Sequence, residues 1–374
     1  MEEVREILEK GAWEKKELIR LLSANAEECE SVYAKAAEIK KSHVENKVYF
    51  RGLIEYSNYC VKNCFYCGIR SGSAGFTRYE MTEEESLEAA RFAWENRYAS
   101  VVIQAGERND ESFVARMERL IRKIQEMTEH KLHLTLSLGE QTEETYRRWW
   151  DAGAHRYLLR IEVSNPDLYR KLHPSDSLHS YETRLNALHS LRRIGYQVGT
   201  GVMIGLPFQT IADLADDLIF FREFDIDMVG MGPYIEHPDT PLYSLRDKIP
   251  TLDERFRLSL KMVALLRILM PDINIAATTA LQAIDPIGRE KALQVGANVI
   301  MPNLTPVKYR SDYLLYENKP CVHEEAAACQ FCLESRISSV GNRIAWGEWG
   351  DSKHFRMRDV QFHSKKLTAF GSPT

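Results

Sequence analysis

Apolar residues recur at helical spacing from the start of the chain. Ile7 and Leu8, then Leu18, Leu21 and Leu22, lie three to four positions apart, and residues 26–39 continue in Ala, Glu and Lys. This predicts a helical lead-in over residues 1–46. The pattern then changes: residues 47–55, KVYFRGLIE, are rich in β-formers and run into a polar loop. Beyond them short apolar runs alternate with amphipathic stretches. The runs are 100–104, 132–137, 157–162, 197–204, 228–231, 273–277 and 298–301. Helical patterns lie at 111–127, 143–152, 181–194, 211–224, 252–270 and 286–296. Thr82 with Glu85 three positions on predicts a capped helix before the first of them. Counting 47–55, eight strands alternate with helices, which implies a parallel sheet covered by helices. Eight units over residues 47–301 match a closed (β/α)8 barrel of the TIM type; a doubly wound open sheet is the alternative. Residues 302–374 lose the alternation and read as an irregular extension wrapped on the barrel, ending in a disordered tail after about residue 367.

Composition narrows the picture only slightly. With 44% hydrophobic and 28% charged residues, the chain is neither disordered nor collagen-like. A net charge of −5 argues against a nucleic acid held by bulk charge. The first residues, MEEVR, do not resemble a secretory signal. No apolar run approaches the ~18 residues that span a bilayer. The nearest, 263–270, contains Arg267. A soluble, cytoplasmic, monomeric protein is the expectation. In that setting seven cysteines point to metal or catalysis more than to disulfides.

Six of the seven fall into two groups: Cys60, Cys64 and Cys67, and Cys321, Cys329 and Cys332. The first has the spacing C-x3-C-x2-C, with Tyr66 before the last cysteine, directly after the first strand. Three thiolates on one short loop can hold three irons of a 4Fe–4S cluster and leave the fourth iron open. An open iron suits chelation by the amine and carboxylate of S-adenosylmethionine. The end of a barrel strand is also where such barrels place their chemistry. Two alternatives remain: free thiols, or a four-thiolate zinc site joining Cys64 and Cys67 to Cys329 and Cys332.

With this motif stand Glu55-Tyr56-Ser57-Asn58, Ser137-Leu138-Gly139-Glu140, Arg156 to Arg160 (RYLLR), Gly205-Leu206-Pro207, His237 to Leu242 (HPDTPL), Ala277-Thr278-Thr279-Ala280 and Gly296 to Asn303 (GANVIMPN). Together and in this order they resemble the radical S-adenosylmethionine superfamily and, within it, the FeFe-hydrogenase maturase HydE family, from about residue 5 to residue 335. Biotin synthase and methylornithine synthase are more distant likenesses. The resemblance implies an enzyme that reductively cleaves S-adenosylmethionine to a 5′-deoxyadenosyl radical. Its implied substrate is the iron–carbonyl–cyanide–cysteine complex delivered by HydG. HydG, HydF and an electron donor are the implied partners. A mutase of the methylornithine synthase type, and a zinc- or cluster-binding protein without catalysis, are the competing functions.

The resemblance also assigns residues. Cys60, Cys64 and Cys67 hold the catalytic cluster. Tyr66, Gly106, Glu107, Ser137, Arg160, Glu162, Arg184 and Gly201 bind cofactor. An Arg fork suits a carboxylate, and Glu suits ribose or amine. The glycines of 199–205 lie inside a strand rather than in a dinucleotide fingerprint, and Gly201 is read as room for the adenosyl group. Where the family more often has Ser and Asp, this chain has Ala105 and Arg108. Thr135, Thr278, Thr279, Met301, Tyr313 and Tyr316 match positions lining the family's substrate cavity. Cys321, Cys329 and Cys332 match an accessory iron–sulfur site, either 2Fe–2S or 4Fe–4S, with His323 nearby.

Overall fold

The computed structural model describes residues 2–358, apart from the side chains of residues 328 and 329. The lead-in forms three helices, Glu2–Lys10, Lys15–Leu22 and Ala26–His43. The second and third begin with reciprocal capping boxes, Glu14 with Glu17 and Asn25 with Glu28. Their apolar stripes, including Val4, Leu18, Leu22 and Val32, are buried in the main core.

The strands are β1 (Lys47–Phe50), β2 (Gly52–Ser57), β3 (Ser100–Ala105), β4 (His133–Ser137), β5 (Ala154–Leu158), β6 (Gln197–Thr200), β7 (Met203–Ile204), β8 (Met228–Val229), β9 (Gly232–Pro233), β10 (Asn274–Ile275), β11 (Val299–Ile300) and β12 (Arg343–Ile344). The first predicted strand thus breaks at Arg51. Seven strands run parallel in the order β2-β3-β4-β5-β6-β8-β10. Ala276, just past β10, bridges Val299, and β11 pairs with β1. The sheet therefore curls back on its first strand, and the fold is an α/β TIM-type barrel. Strands buried on both faces explain the continuous apolar runs: Val101, Val102, Ile103, Leu136 and Val198 have no exposed surface. β7 and β9 prolong the sixth and seventh strands toward the C-terminal end.

The helices at 111–127, 181–194 and 211–224 fall where the periodicity placed them. Thr82 accepts from the Glu85 N–H at 3.2 Å while the Glu85 carboxylate accepts from the Thr82 N–H at 2.9 Å. The C-terminal region departs from expectation. Instead of an irregular wrap it contains the 14-residue helix Ala326–Ser339 and β12, which pairs parallel with β1. Residues 349–352 then plug the N-terminal end of the barrel. Arg51 and Asn274 donate to the Gly350 carbonyl at 3.0 and 2.8 Å, Arg156 donates to the Trp349 carbonyl at 2.6 Å, and Gln197 accepts from the Ser352 N–H at 2.8 Å. Gln197 and Asn274 begin their strands, Arg51 directly precedes β2, and Arg156 is the third residue of β5. The plug leaves the other end of the barrel open for a site. The tail predicted after residue 367 lies outside the described residues.

Candidate active site

A cavity of about 370 Å³ opens at the C-terminal end of the barrel. The cysteine loop that follows β2 forms one wall, and Cys60, Cys64 and Cys67 all line it. Backbone contacts seat the loop. The Val61 N–H donates to the Glu107 carbonyl at 2.9 Å, the Phe65 N–H to the Leu172 carbonyl at 3.0 Å, and the Asn63 N–H to His179 Nε2 at 2.9 Å. The Glu107 N–H in turn donates to Cys60 Sγ at 3.3 Å. Gly106 makes this approach possible, because a Cβ there would lie 2.4 Å from the Tyr59 carbonyl oxygen and 2.8 Å from Cys60 Cβ.

None of the three cysteines is in a disulfide. Burial raises all three thiols, Cys64 to about 12. Such thiols are inert as nucleophiles and ionise when a soft metal centre takes the proton's place. Three of them on one wall fit an iron–sulfur cluster. Zinc fits less well: Cys332 is exposed on the helix Ala326–Ser339 and is absent from the wall that Cys64 and Cys67 share. Among the described residues no three His, Cys, Asp or Glu side chains gather around a single ion.

Behind the loop lies a buried charge network that sequence reading missed. Lys62, inside the cysteine spacing, pairs with Glu107 at 3.1 Å and Glu140 at 2.8 Å. Arg184 pairs with Glu140 and approaches Glu107 at 3.7 Å. Each of the four side chains is at most 10% exposed. Lys62 also donates to the Leu178 carbonyl, and Arg184 to the Arg160 carbonyl at 2.8 Å. Burial pushes the Glu107 carboxyl up, offset in part by Arg184. Burial acts on Glu140 too, but Arg184 and Lys62 outweigh it and hold that carboxyl down.

Arg160 and Glu162, just beyond β5, form a second pair at 3.0 Å on the cavity wall. The Arg160 fork also donates to the Gly230 and Val202 carbonyls at 2.7 and 2.9 Å, so its plane is fixed. Glu162 has φ 68°, a left-handed conformation rare outside glycine. Two hydrogen bonds hold it there: its N–H donates to the Gly201 carbonyl at 2.9 Å, and its carbonyl accepts from the Met203 N–H at 3.0 Å. Tyr66 donates to His173 Nε2 at 3.1 Å while His173 Nδ1–H donates to the Tyr169 carbonyl at 2.8 Å. Burial drops the His173 pKa to about 3, so the ring is neutral in this tautomer.

Gly106, Glu107, Ser137, Arg184, Thr278, Thr279, Met301, Tyr313 and Tyr316 also line the cavity. Gln104 donates to the Tyr313 hydroxyl at 3.2 Å, and the Thr279 and Tyr316 hydroxyls are 2.8 Å apart. Two predicted residues do not line it. Thr135 is fully buried inside the barrel, off the cavity wall. Gly201 is also off the wall: a Cβ there would lie 1.9 Å from the Gly230 carbonyl oxygen. The glycine that opens space is Gly230, which lines the cavity and would meet nothing within 4 Å of an added Cβ. Arg108 turns away to Glu80, at 2.5 Å, and Asp110, at 2.8 Å. Of the second cysteine group, Cys321 lines the cavity and Cys332 is exposed, while the Cys329 side chain lies outside the described residues. Glu55 and Lys319, paired at 2.5 Å on the wall, had no sequence signal linking them.

Residues 54–221 match the family model of the radical SAM superfamily. The chain is 45% identical, over 94% of its length and 97% of the other protein, to the FeFe hydrogenase maturase subunit HydE of Thermotoga maritima. It belongs to the HydE family of radical SAM enzymes. The family implies a 4Fe–4S cluster and S-adenosylmethionine. Likeness to 3-methylornithine synthase of Methanosarcina barkeri is lower, 28% over 78% of this HydE-family chain and 79% of that protein. Two crystal structures share the fold. Methylornithine synthase PylB has a TM-score of 0.77 at 24% identity, covering 96% of this chain and 99% of that one. The maturase HydG of Carboxydothermus hydrogenoformans has a TM-score of 0.78 at 20% identity, covering 96% and 83%. Among the described residues no helix is long and apolar enough to cross a membrane.

Proposed function

We propose that this protein reductively cleaves S-adenosylmethionine and turns the resulting radical on an iron–carbonyl–cyanide–cysteine complex during assembly of the di-iron centre of FeFe hydrogenase. The observation that carries the reading is the set of three disulfide-free cysteines, spaced C-x3-C-x2-C, on the wall of a barrel cavity. Cys60, Cys64 and Cys67 would hold three irons of a 4Fe–4S cluster. When bound, that cluster and S-adenosylmethionine supply one-electron cleavage to methionine and a 5′-deoxyadenosyl radical.

The chain's own residues bind, aim and shield. Arg160, held flat by two carbonyls and Glu162, offers a rigid fork to the cofactor's carboxylate. Glu162, Ser137 and Tyr66 complete the cofactor wall. Gly106 brings the loop to the end of β3, and Glu107 with Lys62 and Arg184 orients it. Thr278, Thr279, Met301, Tyr313 and Tyr316 surround the substrate. The plug closes the N-terminal end of the barrel, so water does not reach the cavity from that side. Cys321, Cys329 and Cys332 would hold an accessory cluster. HydG supplies the substrate, HydF receives the product, and a separate donor provides the electron, in the cytoplasm.

Changing Cys60, Cys64 or Cys67 to Ala abolishes 5′-deoxyadenosine formation under anaerobic reducing conditions. Turnover retained in any of the three refutes the cluster assignment. Maturation of apo-hydrogenase by the wild type with the HydG product tests the substrate; cleavage without maturation would move the protein to another radical reaction on the same barrel.

A further inference from the structure

The loop that carries the cysteines is a cationic segment in an acidic chain. Residues 56–79 contain Lys62, Arg70 and Arg78 and no Asp or Glu, whereas the whole chain has a net charge of −5. Glu107 and Glu140 take up the charge of Lys62. Arg78 is placed differently. It lies off the cavity wall, and its guanidinium donates to four backbone carbonyls: Asn58, Ile69 at 2.8 Å, Arg70 at 2.6 Å and Ser73 at 3.2 Å. Among the described residues no carboxylate pairs with it; the groups its charge acts on are Cys60, Cys67 and Tyr59.

The four carbonyls bracket the cysteines. Asn58 stands two positions before Cys60, and Ile69 and Arg70 stand two and three positions after Cys67. One rigid guanidinium, with five N–H donors, therefore ties both flanks of the loop together. The clamp is itself held. The Phe76 ring centroid lies 4.6 Å from the guanidinium carbon. Asn58 donates to the Thr77 carbonyl at 2.8 Å and accepts from the Tyr79 N–H at 2.7 Å, on either side of Arg78 in the chain. The carbonyls satisfy the donors but leave the charge in place. Its reach is seen at Cys60, where Arg78 offsets a small part of the rise that burial gives the thiol. A 4Fe–4S core held by three thiolates is singly negative overall, and one added electron makes it doubly negative. A fixed cation stabilises the second state more than the first.

We propose that Arg78 is a positioning residue with two effects: it clamps both flanks of the cysteine loop, and its charge, unmatched by any carboxylate, makes the cluster easier to reduce. The assignment rests on reading Cys60, Cys64 and Cys67 as the cluster ligands. The electron comes from an external one-electron reductant, which is oxidised; no bond breaks and no proton moves.

The test is a redox titration followed by EPR, with dithionite as reductant, on full-length, cluster-reconstituted protein without S-adenosylmethionine. In Arg78→Gln the equilibrium constant for adding the electron falls about threefold or more, a midpoint lower by about 30 mV or more for one electron. Arg78→Lys keeps the charge without the fork, and its midpoint stays closer to wild type than to Arg78→Gln. Both variants lose the clamp. Amide hydrogen exchange over residues 58–73 of the cluster-free proteins is therefore faster in both than in wild type, a readout that needs no cluster. Equal midpoints in wild type and Arg78→Gln overturn the charge effect. So does an Arg78→Lys midpoint as low as that of Arg78→Gln. If Arg78→Gln holds no cluster, Arg78→Lys decides against wild type, and a threefold or greater fall there overturns the charge effect. Unchanged exchange over 58–73 in both variants overturns the clamp. Wild type scores the parent reading separately. Wild type without an iron–sulfur EPR signal after reconstitution defeats the cluster reading, whereas a wild-type cluster with unmoved variants defeats only the role of Arg78.

Discussion

Removing Lys62 tests whether the buried network, and not the cysteine spacing alone, seats the cluster loop. Lys62→Met keeps the side chain's length and apolar stem while deleting its charge and donors. Two ion pairs, at 3.1 and 2.8 Å, and one bond to the Leu178 carbonyl are lost. Glu107 and Glu140 then share Arg184 alone. Stripping one partner from a buried pair typically costs about 3–5 kcal/mol. Here Arg184 still offsets part of the stranded charge, so about 3 kcal/mol is expected. Urea unfolding of the full-length, cluster-free protein under reducing conditions, followed by tryptophan fluorescence, measures it. Glu140→Gln gives the second corner of a double-mutant cycle. Losing the surplus anion together with the cation leaves Glu107 and Arg184 as a balanced pair, so the double variant recovers about 1.5 kcal/mol or more of the summed single losses. Iron and sulfide retained after reconstitution fall in Lys62→Met although all three thiols remain. Costs that add within about 0.5 kcal/mol, with wild-type iron content, refute the network's role.

Three further outcomes follow from local geometry. Gly201→Ala, whose Cβ would meet the Gly230 carbonyl at 1.9 Å, destabilises the barrel by about 1–3 kcal/mol or more, read as a lower urea midpoint. Gly230→Leu leaves that midpoint near wild type but fills cavity space, so S-adenosylmethionine or substrate analogue binding weakens in calorimetry; unchanged binding would show that Gly230 faces no ligand. Asp217 is fully buried with one carboxylate oxygen lacking a partner, and burial raises its pKa from 3.8 to about 7. A raised carboxyl contributes stability that is present below about pH 4 and lost as pH rises through 7. Asp217→Asn therefore flattens the fall in melting temperature between pH 5 and pH 8, and parallel curves for the two proteins would disprove it.

The elements most legible in sequence were those whose cause is local. The helices Glu111–Met127, Tyr181–Ile194 and Ile211–Phe224 follow from apolar spacing within one turn, and Thr82 with Glu85 caps a helix whatever surrounds it. The cysteine spacing is equally local. The Tyr157–Glu162 run shows the limit. Its strand ends at Leu158, and beyond it Glu162 stands at positive φ paired with Arg160, a turn of the backbone that apolar spacing does not encode. Short elements of the C-terminal region were illegible for a related reason. β12 has two residues and no period to read; it forms because β1 offers a free edge 296 residues earlier.

Sequence by itself determined the repeating strand–helix order, the three-thiol loop and the family, since each is written in spacing over a few residues or in motifs kept in order. Tertiary structure alone decided which charges meet. Lys62 finds Glu140 across 78 positions and Lys319 finds Glu55 across 264. It also decided that Gly230, and not Gly201, opens the cavity, since only packing says which glycine faces a neighbouring strand and which faces space. The physical reason is range. Periodicity and capping act within one or two turns, whereas pairing of buried charges and the shape of a cavity are set by segments that only the closed barrel brings together.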